Sequence, residues 1–430
     1  MSAAPAKPAQ AAFVGGTRWI VCALLFAAIA LSYIDRQVLS VLEPTLARTY
    51  HWTPVGYGDV VFYFQLAYGI GYIAFGRIVD RLGARAGYAI AVTLWTIGHM
   101  AHALVTSTLG FSIVRVALGL GEAGAFPASL AAIAEWFPTK ERTLAIGLFN
   151  AGTNIGAILA PLIVPYVMLA FGWRMAFIVT GLLTVVWLAV WLWFYRRPQE
   201  HRGVSPAELA HIESDRAVET HAPTPWIQLL VRRETWAYMA GRFLIDPIWW
   251  TFLFWLPDFF DSRYHLNLKA YGPPLVVIYV LADLGSIAGG WGSSTLLARG
   301  FSLNVSRKAA MLLCALVVIP VAFAANTGNI WLAVGLLGLA CAGHQGFSAN
   351  LYALPSDLFP RWAAGSVVGL GGAAGAAGGM LIAKFNGYIL QATNKDYTPI
   401  FIVAACAYLV ALGVVHVLTP RYEKADAAAP

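Results

Sequence analysis

The chain has 430 residues, 59% of them hydrophobic and only 11% charged, with 28 Lys and Arg against 21 Asp and Glu for a net charge of +7. Its mean hydropathy is +0.67, and since soluble domains carry about 25% charged residues, a single soluble core is excluded and a membrane protein expected. The basic residues are spread over loops rather than gathered with stacking aromatics on one soluble face, which argues against a nucleic-acid partner.

Residues 1–17, rich in Ala and Pro with no apolar core of their own, are expected to form a disordered cytoplasmic tail, leaving the first helix as a retained anchor. Segments near the roughly 20 residues needed to cross a hydrocarbon layer then follow at 18–42, 55–79, 87–107, 109–137, 141–169, 173–195, 235–261, 272–298, 307–326, 329–358, 362–390 and 397–419. The expected fold class is an all-α membrane protein with twelve transmembrane helices in two six-helix bundles, 18–195 and 235–420. A polar cytoplasmic linker, 196–234, divides them, and 421–430 form a cytoplasmic tail. With both termini inside, nineteen Lys and Arg fall on the inner side against five outside (Arg48, Arg174, Arg263, Lys269 and Lys395), the asymmetry of the positive-inside rule. Lys7, Arg216 and Lys424 count among the nineteen. Cys22, Cys314, Cys341 and Cys406 lie in spans at unrelated spacings and mark neither a disulfide framework nor a zinc site.

The halves repeat weakly. Glu135-Trp136-Phe137-Pro138 closes the fourth helix as Asp357-Leu358-Phe359-Pro360 closes the tenth, and Tyr57-Gly58 and Tyr271-Gly272 open the second and eighth. Parallel repeats of this kind place a substrate site between two bundles at the midplane.

Four ionisable residues stand at membrane depth, Asp35 and Arg36 in the first helix, Arg115 and Glu122 in the fourth. Buried charges are costly and mark a polar pathway. Arg115 and Glu122 are seven apart, about 10.5 Å along one helix face, whereas the adjacent Asp35 and Arg36 diverge by about 100°. Asp35 is therefore expected to pair with Arg115 while Arg36 faces the substrate path. Its planar, permanently charged guanidinium suits a carboxylate, with the hydroxyls of Tyr33 and Tyr68 within reach. Proton carriers have to change charge within the working pH range, which burial can achieve for a carboxylate. Glu122, between Gly121 and Ala123 and with no adjacent cation in sequence, is the first candidate, and Asp35 the second.

The string Gly76-Arg77-Ile78-Val79-Asp80-Arg81-Leu82-Gly83-Ala84-Arg85 joins the second and third helices. It resembles the G-x-x-x-D-R-x-G-x-R signature of the major facilitator superfamily, departing from it at Ala84, where that family usually has a basic residue. Gly76, Asp80, Arg81, Gly83 and Arg85 are read as a conformational latch whose partners change between access states. Tyr33-Ile34-Asp35-Arg36, Arg115 through Ala123, Glu135-Trp136-Phe137-Pro138 and Glu141-Arg142 resemble the anion:cation symporter branch. Arg242 through Pro247, Ser306-Arg307-Lys308 and His344-Gln345 resemble the hexuronate transporters within it. The resemblance implies proton coupling through Asp35 and Glu122, a substrate-contacting tyrosine at Tyr68, and ligand contacts from the seventh helix.

Arg242 and Asp246, spaced i,i+4 in that helix, can neutralise one another, and Arg242 can orient the ligand. Asp283, His344, Gln345, Asn350, Thr153 and Asn154 are candidate groups for substrate hydroxyls or interhelical hydrogen bonds. Lys384 is expected to snorkel at an outer end. The eleventh helix offers Gly and Ala from 371 to 379 where sugar-acid symporters of this branch carry asparagine. His99 and His102 lack a third ligand for a metal, and no phosphate-binding Gly-rich loop with a following Lys is present.

The sequence thus points to a transporter, not an enzyme. It is expected to be a proton-coupled importer of a sugar-acid anion, most closely a hexuronate such as galacturonate or glucuronate. It would work by alternating access, without cofactor beyond the coupling proton, as a lipid-embedded monomer of a bacterial inner membrane with both termini cytoplasmic. Other organic anions, an aldonate such as galactonate, an aromatic acid or a dicarboxylate, and a transport-inactive sensor of the same fold remain as alternatives.

Overall fold

A computed structural model describes residues 16–214, 226–266 and 270–422. Lys7, Arg216, Lys269, Lys424, most of the N-terminal tail, part of the linker and the end of the C-terminal tail lie outside the described residues.

The first bundle runs through α1 (Thr17–Tyr50), α2 (Pro54–Ala101), α3 (Thr108–Glu122), α4 (Ala125–Trp136), α5 (Thr139–Phe171) and α6 (Trp173–Phe194). Two short helices, α7 (Pro206–Glu213) and α8 (Trp226–Leu230), precede the second bundle. That bundle comprises α9 (Arg233–Tyr264), α10 (Gly272–Ala298), α11 (Leu303–Val318), α12 (Ile330–Leu351), α13 (Leu354–Leu358), α14 (Arg361–Ala392) and α15 (Thr398–Leu418). Among the described residues nine helical segments are long and apolar enough to cross a membrane, and the two arms of α2 together with α9 complete twelve traverses. The outward faces carry bare apolar side chains such as Leu109, Val186, Trp193 and Leu313.

Several boundaries differ from the expected ones. Pro44 does not end α1, which continues to Tyr50, because neighbouring helices and local adjustment satisfy the backbone groups a proline frees. The expected loop between the second and third spans is helical too, and the chain turns within α2 at Gly83 alone, with φ 79° and ψ 168°, a backbone conformation that suits glycine. The fourth span breaks into α3 and α4 directly after Glu122, and the tenth breaks nearer its end, between α12 and α13. Pro138 and Pro360 stand in extended conformation ahead of α5 and α14, so the two halves repeat in backbone as they do in sequence. Pro320 in the first turn after α11 passes the ninth span into a 3-10 segment, Ile319–Asn326.

The linker is tied to the first bundle. Thr17 Oγ1 donates to Gly203 O at 2.9 Å, Arg18 reaches both Glu141 at 2.8 Å and the buried Glu208 at 3.3 Å, and His211 Nε2 lies 2.9 Å from Glu141.

The bundles meet where α2 crosses α14, α5 crosses α10 and α1 crosses α9. Their hydrogen bonds cluster from the midplane toward the end bearing Tyr50. Arg48 pairs with Asp261 at 2.8 Å, Ser40 Oγ donates toward the Leu253 and Phe254 carbonyls at 3.0 Å, Tyr57 OH donates to Phe254 O at 2.9 Å and Gln37 Nε2 donates to Tyr279 OH at 3.0 Å. Lys384, expected to snorkel, instead pairs with Asp59 across the bundles. Gly58 lets α2 touch α14 backbone to backbone, since an added Cβ would stand 2.7 Å from Ala383 O. At the opposite end Asp80 and Arg81 are exposed and make no hydrogen bond or ion pair among the described residues. The cross-bundle bonds thus seal the Tyr50 end, while at the Thr17 end Asp80 and Arg81 make none among the described residues.

Candidate functional site

Adjacent residues on α1 divide two buried clusters between them. Asp35 points into the heart of the first bundle, where Trp95 Nε1 donates to its Oδ2 at 3.2 Å and Thr184 Oγ1 to the same oxygen at 3.1 Å. His99 Nε2 stands 3.2 Å from its Oδ1 and 2.7 Å from Thr180 Oγ1. The expected pair between Asp35 and Arg115 does not form. Arg115 instead donates from Nη2 to the carbonyl of Arg36 at 3.2 Å, leaving Nε and Nη1 buried without a partner among the described residues. Helical divergence explains this: with Asp35 turned toward α2 and α6, the group of α1 within reach of Arg115 is the Arg36 carbonyl.

Arg36 turns toward the second bundle, yet it is not free. Its Nε and Nη2 both donate to Oε2 of Glu122, at 2.9 and 2.7 Å. The guanidinium is boxed by aromatic rings, its carbon 4.6 Å from the ring centre of Tyr33, 5.2 Å from Phe64, 5.0 Å from Tyr68 and 5.1 Å from Trp250. Stacking of this kind is worth about 2 kcal/mol or more per ring when water is excluded. Trp250 comes from α9, so both bundles build the box. Among the described residues Arg36 Nη1 and Glu122 Oε1 are buried and find no partner, and both residues are 1% exposed. Two residues on α3, seven apart, thus both converge on α1.

The second bundle presents a largely buried pair. Arg242 Nε donates to Asp246 Oδ2 at 2.7 Å and Tyr352 OH donates to Asp246 Oδ1 at 3.1 Å, while Tyr238 OH lies 3.3 Å from Arg242 Nη1. The i,i+4 pairing therefore forms, and Arg242 also lies 4.3 Å over the Tyr352 ring. The glycines of α14 make room for this group. A Cβ on Gly375 would fall 2.1 Å from Asp246 Oδ2, and one on Gly371 would fall 2.2 Å from the Tyr238 ring.

Asp283, Asn154 and Gln345 gather at the midplane. Asn154 Nδ2 donates to Asp283 across the bundles, and Gln345 Nε2 donates to Asn154 Oδ1 at 3.5 Å. Thr153 bonds only within α5, to Asn150 O at 2.8 Å. His344 and Asn350 are committed elsewhere. His344 lies flat on Trp249 at 5.1 Å with Nδ1 2.7 Å from Tyr408 OH. Asn350 donates to Gly289 O and Gly346 O at 3.0 Å, clamping α10 to α12. Neither presents a free group to a ligand. Of the residues read as a latch, Arg85 donates to Leu192 O at 2.6 Å, Gly83 makes the turn, and a Cβ added to Gly76 would meet no other side chain or neighbouring helix within 4 Å.

The sequence reading did not anticipate the partners of Asp35, nor Phe64 beside Arg36. A signal was available: Trp95 and His99 are spaced i,i+4 on α2 and Thr180 and Thr184 i,i+4 on α6, two polar faces inside apolar spans. Among the described residues no group of three or more His, Cys, Asp or Glu is arranged to hold a metal ion.

Comparison with known proteins agrees with this architecture. The profile described as Major Facilitator Superfamily matches residues 25–383. The hexuronate transporter of Escherichia coli (strain K12) is 33% identical over 398 residues, covering 91% of each chain. The galacturonate transporter of Dickeya chrysanthemi is 36% identical over 313 residues, 71% of this chain and 90% of that protein. The D-galactonate transporter of Escherichia coli O6:H1 is 28% identical over 425 residues, 94% and 98% of the two chains. In structure the fold is similar to a bacterial homolog of the human lysosomal transporter Spinster in its inward-facing, unoccupied conformation, with a TM-score of 0.72 and 16% identity over 94% of this chain and 96% of that one. A chain with twelve traverses, two repeated bundles and buried charges at their seam, matched by this profile over most of its length, belongs to the Major Facilitator Superfamily and is a membrane transporter, not an enzyme.

Proposed function

We propose that this chain is a proton-coupled symporter that imports a sugar-acid anion, most closely a hexuronate such as galacturonate or glucuronate, across a bacterial inner membrane. The observation that carries the reading is the pairing of Arg36 with Glu122 inside an aromatic box built by both bundles. A guanidinium already holding one carboxylate exchanges it for another when the first is neutralised. Protonation of Glu122 would release Nε and Nη2 of Arg36 to the substrate carboxylate, so the proton and the anion load together. The substrate class is supported by the relatives named as hexuronate, galacturonate and D-galactonate transporters.

In this cycle Asp35, ringed by Trp95, His99 and Thr184, serves as a second proton site remote from the anion. Arg242 with Asp246, and Asn154 with Asp283 and Gln345, recognise the hydroxyl-bearing part of the ligand, with Tyr33 and Tyr68 beside the carboxylate. The Lys and Arg distribution assigns the Thr17 end to the cytoplasm. On that orientation the sealed Tyr50 end is periplasmic, the conformation is inward-facing, and the latch of Asp80, Arg81 and Arg85 would close against the second bundle when the cycle turns outward. An aldonate such as galactonate is the second reading, favoured by the D-galactonate relative's coverage of nearly the whole chain.

The test is uptake of labelled galacturonate into proteoliposomes under an imposed inward proton gradient. Accumulation in the wild type that disappears in Arg36→Ala supports the proposal. No accumulation of galacturonate, glucuronate or galactonate by the wild type would remove it.

A further inference from the structure

The seam at the sealed end contains a group that the Arg36 site does not use. Glu43 of α1 is 4% exposed, one turn beyond Ser40 and one before Arg48, the residues that hold α1 against α9. Its carboxyl is within hydrogen-bonding reach of Asp258 of α9, which is 2% exposed. Both oxygens of Asp258 already accept strong bonds from the second bundle, Oδ1 from Lys395 Nζ at 2.5 Å and Oδ2 from Tyr397 OH at 2.5 Å. Asp258 is thus the member that a cation holds. A second carboxylate has nothing to offer it, so Glu43 can bond to it only by donating a proton. Glu43 Oε2 is meanwhile buried with no partner among the described residues, a position where an ionised carboxylate would be left uncompensated.

The surrounding charges agree. Asp261 of α9 is neutralised by Arg48 and bonded by Tyr271 OH at 2.9 Å. Tyr57 of α2, Tyr271 before α10 and Tyr397 before α15 face the cluster with their hydroxyls, and Lys395 is the cation paired with Asp258. Asp258, Lys395 and Tyr397 all belong to the second bundle, whereas Glu43 alone comes from the first. Opening the seam therefore separates a proton donor from its acceptor and admits water to both.

We infer that Glu43 is a further proton-binding site, carrying a proton to Asp258 when the Tyr50 end is closed and losing it when that end opens. By linkage the closed seam holds one proton more than the open one, so acid favours closure. The place of this site in a transport cycle rests on the proton-coupled reading above: an outward-open carrier would need a proton from the periplasm to close over its cargo.

The experiment measures the spacing of spin labels at Thr49→Cys and Gly328→Cys, exposed positions on opposite bundles at the sealed end, in the full chain with its four native cysteines replaced. Between about pH 5 and 8 the open-to-closed ratio in otherwise unmodified protein should rise with pH, by up to about tenfold per unit for one proton. Glu43→Gln, whose amide donates as the protonated acid does, should stay closed at every pH. Asp258→Asn, which leaves Lys395 for an ionised Glu43, should also lose the pH response. A wild-type seam indifferent to pH, or a Glu43→Gln seam that keeps the wild-type response, overturns the inference. Sugar-acid uptake separates the two readings. Absent uptake alongside a gate that needs Glu43 for its pH response removes the symport proposal and leaves this site standing. Gradient-driven uptake alongside a gate blind to pH does the reverse.

Discussion

Glu122→Gln should tighten sugar-acid binding about tenfold and abolish its dependence on pH. In the wild type an incoming carboxylate competes with Glu122 for the two Arg36 donors that now point at Oε2, at 2.9 and 2.7 Å. A hydrogen bond to a charged group is worth about 1.5–3 kcal/mol and a neutral one about 0.5–1.5 kcal/mol. Replacing the carboxylate by an amide thus weakens the competitor by about 1.4 kcal/mol, a factor of about ten in affinity. The sign of the pH effect follows from the same exchange. Wild-type binding takes up the proton that neutralises Glu122, so affinity strengthens as pH falls, by up to about tenfold per unit, whereas glutamine has no proton to take. Calorimetric titration of galacturonate into purified protein between about pH 5.5 and 8 reads both effects. A Glu122→Gln protein that retains the wild-type slope, or binds more weakly, refutes the exchange at Arg36.

Three further outcomes are expected. Gly375→Ala places a methyl 2.1 Å from Asp246 Oδ2, forcing that carboxylate off Arg242 and Tyr352; breaking such a pair costs about 3 kcal/mol, and an unchanged melting temperature would contradict it. Gly58→Val drives a side chain into the Ala383 carbonyl and should hold the Tyr50 end apart, seen as increased labelling of Ser40→Cys by an impermeant thiol reagent; unaltered labelling would show that α2 and α14 can separate without opening the seam. Asp59→Asn breaks the pair with Lys384, but both side chains are 33% exposed, so solvent limits the effect to about 1 kcal/mol, and uptake slowed by more than about fivefold would mean the pair does more than the structure allows.

The spans, the two bundles and their repeat were legible in the sequence because a bilayer imposes length and apolarity on every crossing segment. The facing of Arg115 and Glu122 was legible too, since a seven-residue separation returns to one helix face. Partners were harder to read, because a residue's neighbours across helices depend on rotation and crossing that local spacing does not carry. Asp35 and Arg36 were correctly separated by helical divergence, yet which faced His99 and which faced Glu122 emerged only from the packing. Glu43 lay just past the first span as drawn, which ended at 42, although α1 passes through Pro44 to Tyr50. The glycines of α14 read as missing hydrogen-bond donors, and in the fold they are the space that Asp246 and Tyr238 occupy.

The central claim, exchange of Glu122 for a substrate carboxylate at Arg36, is tested most directly by counting protons taken up per galacturonate bound. Weakly buffered purified protein with a pH-indicating dye serves for the wild type and Glu122→Gln side by side. The account predicts that the wild type absorbs one more proton per anion than the variant near neutral pH. Equal proton uptake by the two would contradict it, and Glu122 would then be a fixed counter-ion of Arg36.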